Sequence, residues 1–278
     1  MKRRRAPTPG PDQSEAQLRG WLGQTGREGW RGAPNEPGPL ELWAELHQRF
    51  GRRVTLLHLY RLAALAQGTD LDGLGQSTRG ELAQRMLRLQ WPGFATTDVP
   101  RREPEPIRLQ TYDPSWARTY QDWEARLRAA LGNRALAVEH VGSTAVAGLA
   151  AKPVVDIQLS VADIEDEPAY APELAEVLVP VYTRDAQHRF CVFPTQGLRQ
   201  VHLHVCNRGG RWEREHLLFR DYLRSSPDAC RAYARVKRRA SRRWRDDRAA
   251  YTDAKSEFIL DTMEEAELWA EGTGWRLA

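Results

Sequence analysis

The segments His140-Val141-Gly142-Ser143-Thr144 and Val154-Val155-Asp156-Ile157-Gln158-Leu159-Ser160-Val161 decide how this chain is read. In the second, Val155, Ile157, Leu159 and Val161 fall on one face of a strand, and Asp156, Gln158 and Ser160 on the other. The apolar face packs. The polar face needs a partner, because a carboxylate among β-branched residues costs stability unless it is exposed or paired. In the first segment a small-residue turn follows a strand running from Ala135 to Val141, where free amides and a hydroxyl can approach a phosphate. Strand, Gly-Ser turn, spacer and Asp-bearing strand make one unit. Gly142, Ser143 and Asp156 thus mark the expected binding place of a nucleotide or phosphorylated small molecule. His140 and Thr144 adjoin the turn, and Lys152 either pairs with Asp156 or lines the pocket.

Downstream the pattern continues as alternating helix and strand. Pro172 to Leu178 reads as a helix, and Arg189 to Phe193 and Leu198 to Val205 as a hairpin around Thr195-Gln196-Gly197. His202 and His204 alternate with Val201, Leu203 and Val205, so both imidazoles project from one face. Neutral imidazole favours borderline metals such as zinc or manganese, whereas its protonated form binds phosphate directly. Asp156, His202 and His204 are therefore the expected catalytic group. Asp156 and His204 are the expected ligands of a divalent metal whose identity stays open. From Trp212 the pattern is helical, with breaks at Ser225-Ser226-Pro227 and near Asp246-Asp247. Arg220 offers a guanidinium for phosphate, with an ion pair to Asp221 as the alternative. Lys237 lies at the edge of an apolar helix face, where it either snorkels or reaches into the pocket.

The Gly-Ser turn and Asp strand resemble the nucleotidyltransferase signature, in which two carboxylates one residue apart hold metal. Here the second position is Gln158, a weak ligand for a hard cation, so two-metal chemistry lacks its compensating charge. The wider pattern resembles the GrpB family. It is carried by His140 to Val146, Gly148-Leu149-Ala150-Ala151-Lys152-Pro153, Asp156-Ile157, His202-Leu203-His204-Val205 and Phe219-Arg220-Asp221-Tyr222-Leu223-Arg224 with Pro227. Tyr233, Lys237, Tyr251 and Lys255 complete it. Ala147 departs from the family's usual Pro. The resemblance implies an α/β (α+β) nucleotidyltransferase-like mixed sheet flanked by helices over 107–262, with Lys237 and Lys255 among the ligand-binding residues.

The rest of the 278-residue chain is read by composition. Residues 1–39, rich in Pro, Gly and Arg, are expected to be a disordered basic tail. Leu42, Leu46 and Phe50, then Leu56, Leu59, Leu62 and Leu65, then Leu82, Met86 and Leu89 recur at helical spacing, giving a small three-helix module over 40–94. Thr78 and Glu81 have capping-box spacing. Residues 95–106 read as a linker and 263–278 as a C-terminal extension. Cys191, Cys206 and Cys230 suit neither a disulfide framework nor a zinc site. No apolar run is long enough to span a membrane and no signal core follows the basic start, so the expected location is the cytoplasm, without a membrane partner. Arg231, Arg235, Arg238, Arg242 and Arg245 share a helix face opposite Tyr233, Val236, Ala240 and Trp244. That basic face makes nucleic acid a second candidate partner. Oligomeric state is not legible in the sequence.

Overall fold

A computed structural model of the chain describes residues 13–90, 95–96, 105–177, 181, 183–194 and 197–277. These divide into two compact units, 1–90 and 91–278. The first holds α1 (Gln13–Gln24), α2 (Pro39–Phe50), α3 (Leu56–Ala66) and α4 (Gln76–Gln90). Leu42, Leu46, Leu59 and Leu62 are buried as their spacing requires, whereas Leu89 is exposed.

The expectation of disorder up to residue 39 does not hold for residues 13–39. Leu18 and Leu22, one helical turn apart, are buried, and so is Trp30, whose indole N–H donates to the Pro37 carbonyl at 3.1 Å. A few large apolar side chains suffice here because the neighbouring helices supply the opposing surface. The basic residues 1–12 lie outside the described residues. Thr78 is not a helix cap, since α4 begins two residues before it. The reciprocal cap belongs instead to Thr55, whose backbone N–H and hydroxyl both engage His58 Nδ1 at 3.1 Å.

The second unit contains β1 (Ala95–Thr96), α5 (Ser115–Leu131), β2 (Ala137–Val141), β3 (Val155–Val161), α6 (Ala171–Val177), β4 (Thr183–Arg184), β5 (His188–Phe193) and β6 (Val201–Asn207). Helices α7 (Arg211–Ser225), α8 (Pro227–Arg243), α9 (Arg248–Asp253) and α10 (Ser256–Thr273) follow. The strands form one mixed sheet in the order β1-β4-β5-β6-β3-β2, in which β3 and β6 pair in parallel and the other neighbours antiparallel. Val155, Ile157, Leu159 and Val161 of β3 and Val201, Leu203 and Val205 of β6 pack with Trp116, Trp123 and Leu127 of α5 and Leu174 of α6. This is the main core.

Two outer boundaries differ from those expected. Ala95 and Thr96, read as linker, pair with Arg184 and Thr183 at the sheet edge. Helix α10 runs through residue 262 without a break, burying Thr262, Ala266 and Ala270, and Leu218 of α7 joins Ala266 and Ala270 in one apolar cluster. Residues 263–277 are therefore part of the fold rather than an appendage. Trp275 closes it by donating to Asp221 Oδ2 at 3.1 Å.

Candidate functional site

The parallel register sets Asp156 beside His202 and Gln158 beside His204, all on the face away from the main core. His202 Nδ1 lies 2.9 Å from Asp156 Oδ1 and His204 Nε2 lies 3.6 Å from the same oxygen. Burial pushes both imidazoles below their ordinary pKa, His204 to about 4, despite the opposing pull of Asp156. They are neutral near pH 7. A carboxylate only accepts hydrogen bonds, so the nitrogen of His202 that faces it carries the proton and leaves Nε2 with a lone pair. Against the cost of burial, the two histidines hold the Asp156 carboxyl well below the usual carboxylate range.

Gly142 roofs this carboxylate. Its φ of 69° and ψ of −165° belong to a region essentially restricted to glycine. A Cβ there would fall 3.0 Å from Asp156 Cβ and Cγ and closer still to Oδ2. The absence of a side chain is thus required twice, by backbone conformation and by approach. Burial raises the Tyr233 phenol of α8, and the neighbouring Ser143 hydroxyl acts against that rise.

Three ammonium groups surround the carboxylate. Lys152 comes from the loop before β3, Lys237 from α8, and Lys255 from the start of α10. Lys152 and Lys255 both stand over the Tyr251 ring, at 5.3 and 4.5 Å from its centroid, and Lys237 over the Tyr233 ring at 5.3 Å. Lys237, 2% exposed, also donates to the Ala150 carbonyl. Burial first, then mutual repulsion, lowers Lys152 and Lys237 to about 7, while burial and Arg248 lower Lys255 to about 8. Arg199 and Arg248 add to the repulsion on Lys152. Asp156 alone acts in the opposite direction on all three.

This cluster carries a sequence signal that helical and strand periodicity cannot reveal. Of the 41 basic residues 37 are arginine, and the four lysines are Lys2, Lys152, Lys237 and Lys255. Every lysine beyond the amino terminus therefore converges on one carboxylate. Here the charged groups are compact ammoniums, whose proton is more easily lost on burial than that of a guanidinium.

Buried polar atoms without partners lie on the same face. They are His202 Nε2, His204 Nδ1 and both amide atoms of the fully buried Gln158. A buried group left unpaired costs about 1–3 kcal/mol, so a set of four points to a polar occupant. Ser160, further along β3, is already satisfied by the buried carboxylate of Glu213.

The other expected site residues stand apart. His140 pairs across the sheet with Ile157, on the opposite face, where it stacks on Tyr120 with centroids 5.0 Å apart and bonds Thr144 Oγ1 at 3.0 Å. Burial takes it to about 4. Arg220 is engaged by Asp221 and Glu139, each at 2.7 Å, and by the His140 carbonyl at 3.0 Å, which braces β2 against α7.

Asp156, His202 and His204 each offer a ligand atom, and these atoms lie within 4.8 Å of one another. Two imidazoles and one carboxylate fit a single borderline divalent ion. They do not fit a magnesium pair, because Gln158 brings no charge and the lysines bring the wrong sign.

A family model described as GrpB protein matches residues 106–265. The chain belongs to the GrpB family. Among its relatives is the UPF0157 protein BH1888 of Halalkalibacterium halodurans, 41% identical over 164 residues, which span 58% of this chain and 82% of that one. A protein of Mycolicibacterium paratuberculosis named dephospho-CoA kinase is 35% identical over 197 residues, with 62% of this chain matching 48% of it. The crystal structure of conserved protein GrpB from Enterococcus faecalis superposes with a TM-score of 0.51 at 27% identity, covering 58% of this chain and 99% of that one. The family-model match spans β2 to β6 and α5 to α9 with the first part of α10. Among the described residues no helix is long and apolar enough to cross a membrane.

Proposed function

We propose that this GrpB-family protein binds a nucleotide or another phosphorylated small molecule at the Gly142–Ser143 turn and Asp156, in a site of the nucleotidyltransferase type. The observation that carries this reading is the excess of buried positive charge, with Lys152, Lys237 and Lys255 around one carboxylate. Unpaired buried charge is costly, and an anionic ligand relieves it by restoring the lysines to their charged form. The glycine turn lets a phosphate approach the backbone, and the Ser143 hydroxyl adds a donor. Gln158 and the free imidazole nitrogens supply polar contacts to the rest of the ligand. The relative named dephospho-CoA kinase supports a phosphate-handling setting, although this chain matches about half of that protein.

Transfer of a nucleotidyl or phosphoryl group is the second reading, favoured by the ionised Asp156 between two neutral imidazoles. Asp156, His202 and His204 would hold one zinc or manganese ion, which when bound would polarise a phosphoryl oxygen. Lysines and turn amides would orient the phosphates. Thermal shift of the intact chain with a nucleoside triphosphate, in chelator and then in zinc or manganese, tests both readings. Binding without metal is expected to raise Tm with the logarithm of ligand concentration above Kd. No shift in either condition overturns the binding reading, and absence of pyrophosphate or phosphate release with Asp156→Ala equal to wild type removes the transfer reading.

A further inference from the structure

Helix α8 carries an arginine stripe that the ligand site does not use. Tyr233, Lys237, Ala240 and Trp244 are buried, whereas Arg231, Arg235, Arg238, Arg242 and Arg245 are exposed. Spacings of four, three and four residues keep Arg231, Arg235, Arg238 and Arg242 on one side of the helix, over a rise of about 17 Å, and Arg245 lies in the turn just beyond its end. Arg239 and Arg243 flank the stripe and are exposed too.

The stripe lacks the acidic partners that several other exposed helical arginines have. Arg19, Arg128 and Arg211 each pair with a glutamate four residues away, Glu15, Glu124 and Glu215. On α8, Arg231 pairs with Asp228, and from there to Asp246 the sequence contains no acidic residue. Among the described residues no carboxylate engages the side chains of Arg235, Arg238, Arg242 or Arg245. A helix stabilised for itself would place glutamate at those intervals, since like charges four apart repel. Four uncompensated guanidinium groups suit an extended row of phosphates: Arg235, Arg238 and Arg242 span about 10 Å of helix, some three steps of a duplex strand at about 3.4 Å each, and Arg245 extends the row.

We propose that Arg235, Arg238 and Arg242 of α8, with Arg245 just beyond its end, bind the phosphate backbone of nucleic acid without reading its sequence. Among the described residues this face is a row of guanidinium groups without the Asn, Gln or aromatic side chains that would complete base readout, so the proposed contact is one of charge. The surface is separate from the Asp156 cluster, and neither proposal depends on the other.

The test is fluorescence anisotropy of the full chain with a labelled DNA duplex over a range of salt. Four phosphate contacts give a slope of log affinity against log salt of about −4, which is roughly a hundredfold loss between about 50 and 200 mM salt. The double substitution Arg235→Gln and Arg242→Gln reduces the magnitude of the slope by about two, whereas Arg128→Gln, which removes a paired arginine, leaves it unchanged. Circular dichroism confirms that these exposed replacements leave the fold intact. A duplex of scrambled sequence is expected to bind equally. The proposal is overturned by absent or salt-independent binding, by an unchanged slope in the double variant, or by binding to phosphatidylserine vesicles and not to duplex.

Discussion

The two faces of β3 are drawn from the same seven residues and solve opposite problems. On one, Val155, Ile157, Leu159 and Val161 meet the aromatic side of α5, and every side chain finds apolar neighbours. On the other, Asp156 collects two histidines and three lysines while Gln158 finds no partner at all. The first face lowers the energy of the folded chain. The second raises it, and that stored cost is what a ligand can recover.

Substitutions on the two faces should therefore separate stability from binding. Leu159→Ala removes a fully buried side chain from the main core and is expected to cost about 2–5 kcal/mol in denaturant unfolding while leaving the triphosphate-induced Tm rise in place. Loss of that response in the still-folded variant would show that the faces do not act separately. Gly142→Ala is expected to cost about 1–3 kcal/mol from backbone strain alone and to weaken ligand binding as well, because its new methyl displaces Asp156. A neutral effect on both would mean the close approach is unimportant. Lys237→Met removes a destabilised buried ammonium but leaves the Ala150 carbonyl without its donor, opposing effects that should leave the ligand-free chain folded. The same change is expected to abolish most of the ligand response.

The pH dependence reads the three lysines directly. Lys152, Lys237 and Lys255 have pKa values in the fold of about 7, 7 and 8, below their ordinary 10.5. Between these limits the unfolded chain binds more protons than the folded one, so stability rises with pH from about 7 towards 10.5. Below about 7 the full penalty of charged lysines is present. A bound polyanion returns the lysines to their charged form and flattens this rise. A pH profile that is equally steep with and without ligand would disconnect the lysines from the site.

Much of this contrast was legible in the sequence. Alternation alone assigns both faces of β3 and β6, and Ser226-Pro227 and Asp247 mark helix starts that the fold uses. What alternation could not supply was convergence over long separation. Lys152, Lys237 and Lys255 come from a loop and two helices, and no local period links them. The signal that does link them is compositional, a chain of arginines with lysine kept at these positions. His140 shows the limit of local reading. It adjoins Gly142 in sequence, but strand alternation turns it to the α5 face, so proximity along the chain is not proximity to the site. Helix α1 escaped notice because its few apolar residues are diluted by polar ones, and burial depends on neighbours supplied from elsewhere.

The central claim is that buried lysines around Asp156 make an anion site. Isothermal titration of the intact chain with a nucleoside triphosphate near pH 8, in two buffers of different ionisation enthalpy, tests it most directly. Saturable binding with net proton uptake is predicted, and Lys237→Met should lose both the binding and most of that uptake. Binding with no proton uptake, or binding unaltered in Lys237→Met, would contradict the account.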